Sequence, residues 1–490
     1  MPPERRWVLR KEPTSLWGHH FLPRSVVQVP DLQRTLIFAQ GSWYRMSELP
    51  DFLKQGEAAR LFPVLSTTSK EGRATSILLS CLDKVDEFAA VQLRTLGLRP
   101  GKRTSVQSYT EVVFNESSQK NKRPDGLIVV STGVQKKHYL VEAKIGNTGL
   151  DASQIESYMR ICKEKKLDGV ITISNQYSSS PDIHPLEEVR KIKIKVPVYH
   201  WSWMSLLTTI DLMVSNEEVA DNDQLLLMNE LRRFLSHDST GVKGFDRMPP
   251  EWSDINKTLA NQGKLSTRSD ETRKVVEAWT QEAKDLCLIL SRLTNTPVQE
   301  KLPTAHSKNP EARMKAGIKT LVDTQMLVAS FEIPYAAAPL EVVADINQRS
   351  IYVGMNINAP QDRKSSTARL NWLLRQLKTC DLDDIFIRAN WPGSSAPTSY
   401  QVMDLLNDPN LITKDKEHLT LSSFMVFGSY RLGGRFAQLA NFISDLEDNV
   451  PLFYRQVGQN LSQWKKPAPK IKETSDSVDV EAISKEAEDF

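Results

Sequence analysis

Two segments of the chain are the most informative about its structure: Arg123-Pro124-Asp125-Gly126-Leu127-Ile128-Val129-Val130 and Tyr139-Leu140-Val141-Glu142-Ala143-Lys144-Ile145-Gly146. Both have the aliphatic composition of buried strands, yet the second carries a carboxylate and an ammonium in its interior. Side chains alternate along a strand, so Glu142 and Lys144 project from the same face. Because burying an unpaired charge costs several kcal/mol, such residues are usually paired, metal-bound or catalytic.

The segment that follows predicts a helix and a further strand. The helix begins after Asp151, a typical N-cap residue, and runs to about Lys166. Gln154 and Tyr158 stand four residues apart and therefore share one helical face. Residues 170–173 are a β-branched run that predicts a buried strand. A strand, a helix and a strand in this order form a right-handed crossover, which sets the Gln154 face over the carboxyl-bearing strand ends.

One pattern joins these segments: Pro124-Asp125, sixteen intervening residues, Glu142-x-Lys144, and then Gln154 and Tyr158 on the following helix. The pattern resembles the PD-(D/E)XK, or restriction-endonuclease-like, nuclease superfamily. The resemblance covers residues 74–207, roughly a third of the chain. It implies an α/β fold, with a restriction-endonuclease-like mixed sheet flanked by helices. A solvated aspartate beside a structural Glu–Lys pair is the alternative explanation of the same residues.

The resemblance implies a site for Mg²⁺ or Mn²⁺ on Asp125 and Glu142, with the backbone carbonyl of Ala143 as a further ligand. Mg²⁺ prefers a few hard carboxylate oxygens, so two acids from neighbouring strands form an adequate site. Lys144 would orient or deprotonate the attacking water and stabilise the charge that develops on the phosphoryl oxygens. Carboxylates raise the pKa of such a lysine, whereas burial and a metal lower it, and the sequence leaves the balance open.

Three further residues are candidates for the same site. Gln154 would hold the water or a phosphate through its amide, and Tyr158 would either contact the backbone or serve a purely structural role. Residues 105–114 predict a strand that contains Glu111. The resemblance makes Glu111 an additional carboxylate of the site, and an exposed glutamate on an edge strand is the alternative.

Other chemistries lack their local signatures. The chain contains no G-x-x-x-x-G-K-[ST] loop, no G-x-S-x-G elbow and no H-E-x-x-H pair, which argues against an NTPase, a serine hydrolase and a zincin. His19, His20 and His200 are interpreted as ordinary polar or core residues. The cysteines are far apart in sequence, which argues against a zinc cluster or a disulfide framework and suits a reducing cytoplasm: Cys81, Cys162, Cys287 and Cys380.

Composition sets limits on partners and location. The 490 residues include 63 Lys+Arg and 60 Asp+Glu, a net charge of +3, so overall charge does not indicate a nucleic-acid partner. Any basic surface must therefore be local. The N-terminus lacks the apolar core of a signal peptide, and no run approaches transmembrane length. The sequence predicts a soluble, cytoplasmic protein that does not contact a membrane.

The chain divides into four predicted parts. They are an N-terminal extension or small, mostly β cap (1–73), a nuclease-like domain (74–252), a C-terminal α+β regulatory or recognition domain (253–466) and a disordered tail (467–490). Basic and aromatic residues of the first part could touch nucleic acid, with a packed aromatic core as the alternative. The boundary near Trp252 follows from a polar, Gly- and Pro-containing stretch.

Secondary structure is predicted from periodicity and from breaking residues. In the nuclease-like domain we expect helices at 75–96 and 224–235 and a closing strand at 191–200. Beyond it, residues 271–293 predict a long amphipathic helix that could be a dimer seam or ordinary core packing. A loop at 295–310 then precedes strands at 325–333, 340–346, 351–357, 385–389 and 419–427, and helices at 366–377, 435–446 and 453–461.

The leading hypothesis is a metal-dependent endonuclease that hydrolyses DNA. Its C-terminal domain would supply regulation, target recognition or assembly, as in a bacterial antiviral defence or restriction-type effector. One alternative is a catalytically silent nucleic-acid-binding or scaffold protein on the same fold, and another is a nuclease that cleaves RNA. Because prompt cleavage of both DNA strands needs two active sites, we expect a homodimer, or a regulatory partner bound through the C-terminal domain.

Overall fold

The structure of the chain is a computed structural model. It describes residues 49–466 and residue 468, apart from short gaps at 64–68, 116–121, 134, 179, 379 and 381–382. Most of the predicted N-terminal part and nearly all of the predicted tail lie outside these residues. The described residues form a mixed α/β protein with two sheets. Among them, no helix combines the length and the apolar character needed to cross a membrane.

The first sheet and its helices come from the first half of the chain. Their elements are β1 (Leu53–Ala58), α1 (Lys70–Lys84), α2 (Asp86–Thr95), β2 (Ser105–Phe114), β3 (Gly126–Ser131), β4 (Lys136–Ala143), α3 (Ala152–Lys165), β5 (Gly169–Ser174), α4 (Glu187–Arg190), β6 (Val198–Ser202), α5 (Trp203–Ser215) and α6 (Asn222–Leu235). The strands lie in the order β1-β2-β3-β4-β5-β6. Neighbours are antiparallel from β1 to β4, while β4, β5 and β6 are parallel.

Both faces of this sheet are buried, because successive residues of its central strands enter two different cores. Ile128 and Val130 pack with α1 and α5 on one face, whereas Leu127 and Val129 pack with α3 on the other. The strand at 105–114 and the helix after Asp151 are confirmed. The Asp151 carboxylate accepts a hydrogen bond from the Ser153 N–H at 2.9 Å, as expected for an N-cap.

Two predictions in this half are wrong in detail. The helix at 75–96 is in fact two helices, since Val85 is extended (φ −116°, ψ 100°) and separates α1 from α2. The closing strand at 191–200 is limited to β6, which begins only at Val198. The side chains of Ile192, Ile194 and Val196 pack against the core on the α3 face. Their alternation therefore reflects contact with the helix layer and not pairing within the sheet.

The second half forms the second sheet and its helices. Its elements are α7 (Glu251–Ala260), α8 (Asp270–Thr294), β7 (Gln299–Glu300), α9 (Thr304–Ser307), α10 (Pro310–Thr324), β8 (Met326–Glu332), β9 (Leu340–Asp345), β10 (Ser350–Asn358), α11 (Ser366–Leu377), β11 (Ile385–Asn390), β12 (Thr398–Gln401), α12 (Val402–Asn407), β13 (Ser423–Arg431) and α13 (Leu439–Gln456). The strand order is β12-β11-β13-β10-β9-β8-β7, and every neighbouring pair is antiparallel.

Some elements of this half differ from the sequence prediction. The loop at 295–310 contains β7 and α9, β12 is an additional strand, and the strand predicted at 419–427 begins only at Ser423. The helices predicted at 435–446 and 453–461 are one helix, α13, which contains Pro451 in its interior. Proline removes a helical hydrogen bond. Val450 and Phe453 are fully buried on either side of Pro451, and this packing stabilises the continuous helix.

Helix α8 joins the two halves. Its apolar stripe, which includes Val275, Leu286 and Leu290, is buried within the chain, so core packing accounts for it. The side chain of Gln281 accepts from the Tyr177 N–H at 2.7 Å and donates to the Tyr177 carbonyl at 2.9 Å. Trp252 lies in α7 and packs in the core of the second sheet.

Helix α8 also carries a buried acid that opposes folding. Glu282 is fully buried, and neither of its carboxylate oxygens has a hydrogen-bond partner in the described part of the chain. Burial, reinforced by the charges of Glu447 and Asp285, raises its pKa well above the ordinary value. The unfolded carboxyl ionises above about pH 4.3, whereas the folded one stays protonated. Stability is therefore lost as pH rises above this value.

We expect Glu282→Gln to raise the free energy of unfolding by about 1–3 kcal/mol at pH 8, and by less at pH 5, because the amide has no proton to lose. Urea denaturation at the two pH values measures the difference. Asp285→Ala is the contrasting variant, since the Asp285 carboxylate accepts a hydrogen bond from the Phe245 N–H at 2.5 Å. Its removal should destabilise the protein, and equal effects of the two changes would contradict the prediction.

Candidate active site

Two carboxylates meet where β3 begins and β4 ends. The antiparallel register pairs Gly126 with Val141, and its extension by one residue places Asp125 opposite Glu142. The Asp125 carboxylate accepts a hydrogen bond from the Ala143 N–H at 2.8 Å, which holds it against the end of β4. Asp125 is half-buried and Glu142 is only 1% exposed. Strand pairing thus brings together the two acids that the sequence identifies.

The glycine after Asp125 allows a helix to pack beside this site. A Cβ atom at Gly126 would lie 2.6 Å from Cδ1 of Leu79 in α1 and 3.0 Å from the carbonyl oxygen of Tyr109 in β2. The first distance would force the end of the Leu79 side chain to move, and the second is a tight contact with β2 backbone that cannot easily move. Glycine at this position therefore favours the close packing of β3 against α1 and β2.

Lys144 follows β4 directly, and its backbone is held on both sides. Its N–H donates to the Ile173 carbonyl at 2.8 Å, and its own carbonyl accepts from the Trp203 indole N–H at 2.9 Å. The ammonium donates to Oε1 of Glu142 at 2.5 Å and to the carbonyl of Ala143 at 3.0 Å. The expected placement of Glu142 and Lys144 on one face agrees with this contact.

A third carboxylate reaches the same lysine, and sequence reasoning missed it. Glu71 lies in the first turn of α1, and its Oε1 atom is 3.1 Å from Nζ of Lys144. The helix was predicted to begin at residue 75, which left Glu71 outside it. An acid in the first turn of a helix is favoured by the helix dipole alone, so the position of Glu71 carries no local signal for this contact.

Glu111 does not join this cluster. It is exposed and has a positive φ of 53°, next to the irregular register between β1 and β2. In the part of the chain that the structure describes, no hydrogen bond or ion pair connects it to Asp125, Glu142 or Lys144. The additional carboxylate beside the lysine is thus Glu71, where the resemblance implied Glu111.

Gln154 and Tyr158 form a short hydrogen-bonded chain on α3. The Gln154 amide donates to the Tyr158 hydroxyl at 2.8 Å, and this hydroxyl donates to the Arg123 carbonyl at 3.1 Å. Tyr158 is fully buried and close enough to Glu142 for each group to shift the pKa of the other. Both residues thus lie beside the carboxylates, and Gln154 orients the tyrosine.

Burial and neighbouring charge shift the pKa of the acidic groups. Burial, followed by the charge of Glu142, raises the pKa of Asp125 to about 8, although the hydrogen bond from the Ala143 N–H opposes this shift. Burial also raises the pKa of Glu142, against the effect of its hydrogen bond with Lys144. Without a cation, Asp125 therefore keeps its proton to a higher pH than an ordinary aspartate does, and the pKa of Glu142 is shifted in the same direction.

The pKa of Lys144 depends on opposing effects whose balance could not be predicted from the sequence. Burial by itself would lower the pKa of Lys144. The hydrogen bond and charge of Glu142, together with the charge of Asp125 and the hydrogen bond to Glu71, outweigh burial and raise the pKa. The side chain is therefore an ammonium at neutral pH, in a site where acids outnumber bases.

The donor set fits a small hard cation. Among the described residues, no three or more His, Cys, Asp or Glu side chains are arranged as a metal cluster. Asp125 and Glu142, with the carbonyl of Ala143, would therefore supply only part of a coordination shell. Mg²⁺ commonly keeps several water ligands and needs only one or two carboxylates. Among the described residues, the buried Oε2 atom of Glu142 has no hydrogen-bond partner within bonding geometry, although the Tyr158 hydroxyl lies near enough to affect the pKa of this carboxyl. Such an oxygen is suited to a cation.

The histidine and cysteine predictions concern residues outside this cluster. His184 and His200 are buried and both contact the Thr172 hydroxyl, at 3.1 and 2.9 Å. Burial lowers the pKa of His200 to about 4, so it is a neutral core residue. His19 and His20 lie outside the described residues. The four cysteines are free thiols.

Metal affinity should depend on pH through Asp125. Cation binding displaces the proton of this carboxyl, whose pKa is about 8, so the affinity for Mg²⁺ should increase as pH rises towards 8 and level off above it. We expect an increase of about tenfold per pH unit below 8. Calorimetric titration at pH 6.5, 7.5 and 8.5 measures this dependence. Asp125→Asn should lose both the affinity and its pH dependence, and a pH-independent wild-type affinity would contradict the prediction.

Comparison with other proteins adds no family to this description. No protein-family model matches the chain, and neither a curated protein nor a solved structure matches it. A functional conclusion therefore depends on the residues at the ends of β3 and β4 and on the chemistry of their arrangement.

Proposed function

We propose that this protein is a metal-dependent nuclease that hydrolyses phosphodiester bonds of DNA, with Asp125, Glu142 and Lys144 as its catalytic residues. The observation that carries the proposal is the convergence of one buried carboxylate, one half-buried carboxylate and one ammonium at the adjoining ends of two paired strands. Isolated charges are not retained in such a place without a partner or a role. The resemblance to the PD-(D/E)XK superfamily assigns the same three residues to one site.

The arrangement of elements supports a restriction-endonuclease-like fold. Helix α1 precedes three antiparallel strands, β2, β3 and β4, and α3 then connects β4 to the parallel strand β5. Asp125 adjoins the central strand of these three, Glu142 lies in the next, and Gln154 and Tyr158 lie on the crossover helix. The resemblance implies this mixed sheet flanked by helices, with its motif on two strands and a helix.

Phosphodiester hydrolysis needs an oriented water and compensation of the charge that builds up on the phosphoryl oxygens. A bound Mg²⁺ or Mn²⁺ supplies Lewis acidity and activates water. Asp125 and Glu142 would hold this cation through their oxygens. Lys144 stays protonated, so its part is to stabilise the developing negative charge and to orient the water, and not to act as the base.

Charge balance favours a cation at this site. Asp125, Glu142 and Glu71 would contribute three negative charges when ionised, and Lys144 provides one positive charge. Repulsion between the acids is one cause of the raised pKa of Asp125. A divalent cation would remove this excess and allow Asp125 and Glu142 to ionise.

A catalytically silent scaffold is the second candidate. It is favoured by one observation, the ion pairs from Lys144 to both Glu142 and Glu71, which satisfy much of the charge without a metal. The two candidates differ in metal affinity. A scaffold would show no binding of Mg²⁺ or Mn²⁺ in calorimetric titration, whereas the nuclease requires it.

The biological role proposed with this activity is a restriction-type or antiviral defence effector, in which the second half regulates cleavage, recognises targets or assembles a homodimer. Helix α8 connects that half to the loop after β5 through Gln281 and Tyr177. A conformational change in the second half could therefore shift the loop after β5 through these hydrogen bonds.

The test of the proposed function is cleavage of supercoiled plasmid, linear duplex, single-stranded DNA and RNA in the presence of Mg²⁺ or Mn²⁺. We expect DNA cleavage by the wild-type protein and none with EDTA. Asp125→Asn should lower the rate by at least about 100-fold, since it removes a cation ligand without changing side-chain size. Glu57→Gln, an exposed acid on β1, is the matched control. Cleavage of RNA alone would show that the substrate is RNA and not DNA. Undiminished activity of Asp125→Asn would show that the proposed active site is wrong.

A further inference from the structure

A second feature lies at the other end of the first sheet, between the loop that follows α2 and the end of β3. It is a cavity of about 400 Å³ lined by Arg99, Gly101, Lys102, Arg103, Thr104 and Thr132. The register pairs Ser105 with Ser131, so the two segments that form the cavity are connected by strand pairing. The position is thus defined by the fold, and the proposed catalytic residues do not use it.

The cavity concentrates positive charge. Three of its lining residues, Arg99, Lys102 and Arg103, are cations, and none of the described residues that line it is acidic. Within the described residues, none of the three forms an ion pair, although ion pairs are common elsewhere on this surface. Like charges held around one cavity repel each other and raise the local concentration of anions. With a net charge of only +3 for the whole chain, this concentration is a local property.

The segment that carries two of these cations is held in a closed turn. The Thr104 N–H donates to the Gly101 carbonyl at 2.8 Å, and the Gly101 N–H donates to the Thr104 hydroxyl at 2.9 Å. Lys102 and Arg103 occupy the two central positions of this turn, and β2 begins directly after it. Their backbone is therefore ordered before any ligand binds, which lowers the entropic cost of binding.

We propose that this cavity binds a ligand that carries several phosphate groups. Guanidinium groups match the geometry of phosphate oxygens, and a lysine adds a flexible point charge. The described lining residues include no aromatic, leucine, isoleucine or valine side chain, and their apolar surface comes from threonine methyl groups and from the stems of the arginines and the lysine. Recognition would therefore depend on charge and hydrogen bonds. A volume of about 400 Å³ exceeds the need of one inorganic phosphate and accepts a chain of two or three.

The cavity is spatially separate from the proposed catalytic residues. Asp125 precedes β3 and Thr132 follows it, and at about 3.3 Å per residue the strand spans ~23 Å between them. Two sources could supply the phosphate groups, a free polyphosphate such as a nucleoside triphosphate and the backbone of a nucleic acid. The shared chemistry is the clustered negative charge, and the two sources differ in how many phosphates they present.

The experiment is calorimetric titration of the full chain, in buffer without divalent cations, with inorganic tripolyphosphate and separately with a mixed-sequence single-stranded oligonucleotide. We expect the wild-type protein to bind at least one of these probes. The combined variant Arg99→Gln, Lys102→Gln and Arg103→Gln should bind it at least about 100-fold more weakly, since each charge-assisted contact contributes about tenfold or more. The three side chains are exposed, so the thermal melt should stay unchanged.

A variant with the same change in net charge controls for non-specific attraction. Lys308→Gln, Lys315→Gln and Lys319→Gln remove three exposed cations from the second half, and this variant should bind as the wild type does. Binding of tripolyphosphate identifies a free ligand, and binding of the oligonucleotide alone identifies a nucleic-acid backbone. The proposal is overturned if neither probe binds, if the cavity variant binds normally, or if the control variant loses as much affinity.

The result is independent of the proposed catalytic activity. Titrations without divalent cations require no cleavage, and Asp125→Asn should bind the probe as the wild type does. An inactive protein that still binds tripolyphosphate would reject the nuclease assignment and keep the cavity assignment. An active nuclease whose cavity variant binds tripolyphosphate normally would support the nuclease assignment and reject the cavity assignment.

Discussion

Replacement of Lys144 by methionine is expected to lower the rate of the proposed metal-dependent DNA cleavage by about a thousandfold, because it removes the ammonium that contacts Glu142, one of the two carboxylates proposed as catalytic. Methionine keeps a similar length and an apolar stem, so the loss is mainly one of charge and donors. The substitution also leaves Glu142, which is 1% exposed, without its ion-pair partner. This carboxyl should then take up a proton at neutral pH.

Three measurements make this prediction specific. Thermal melting of Lys144→Met separates a catalytic defect from an unfolded protein. Lys144→Arg keeps the charge and the ion pairs but changes the donor geometry, so it should melt like the wild type and lose at least about tenfold in rate. Cleavage by Lys144→Met within about threefold of the wild-type rate, in a protein with normal melting, would contradict the assigned role.

The same assay distinguishes the two glutamates that compete for the additional position. Glu71 contacts Lys144 at 3.1 Å, whereas Glu111 is exposed on β2. Glu71→Gln should therefore reduce the rate more than Glu111→Gln does. The reverse order would restore the assignment that the resemblance implied and would require a different position of Glu111 in the active state.

Replacement of Trp252 by alanine should lower the free energy of unfolding by about 4 kcal/mol, the typical cost of deleting a large buried side chain. Trp252 is fully buried in the second core, with its ring centroid 5.3 Å from that of Phe436 and 4.6 Å from that of Phe442. Its indole N–H donates to the Phe436 carbonyl at 2.8 Å. Alanine would leave a cavity among these rings and an unpaired buried carbonyl.

Urea denaturation of the variant measures this effect. Trp252→Phe keeps most of the buried ring and loses only the hydrogen bond, so its cost should be about 1–2 kcal/mol. Phe62→Ala is the control, because this side chain is 88% exposed and its removal should change stability by less than about 0.5 kcal/mol. A loss below about 1 kcal/mol in Trp252→Ala would mean that the second core does not depend on this residue.

Where patterns were local, the sequence predicted the structure well. The alternating and β-branched runs of β2, β3, β4 and β5 correspond to strands, and Asp151 caps α3 as expected. Predictions failed where distant contacts override a local pattern. Pro451 lies inside α13, since buried neighbours compensate for its missing hydrogen bond. Residues 191–197 alternate like a strand but pack on the helix layer.

The residues of the candidate site also fall into those that local patterns predicted and those that they did not. The sequence predicted that Asp125, Glu142 and Lys144 lie close together, because a short connection between β3 and β4 makes these two strands pair. The contact of Glu71 with Lys144 could not be predicted, since the two residues are 73 apart in the chain and meet only because α1 packs on β3. Glu111 was assigned from its position in a strand, and its positive φ cannot be inferred from the residue type.

Local patterns in the sequence predicted strands β2 to β5, the helix between β4 and β5, and an aspartate, a glutamate and a lysine at two neighbouring strand ends. Periodicity and short-range spacing are local properties of the chain, so they can be recognised without coordinates. The contact of Glu71 with the lysine, the protonated state of Lys144 and the convergence of three cations on a cavity at the far end of β3 became evident from the folded structure alone. These outcomes depend on burial and on contacts between residues far apart in sequence, which arise only when the helices pack on the sheet.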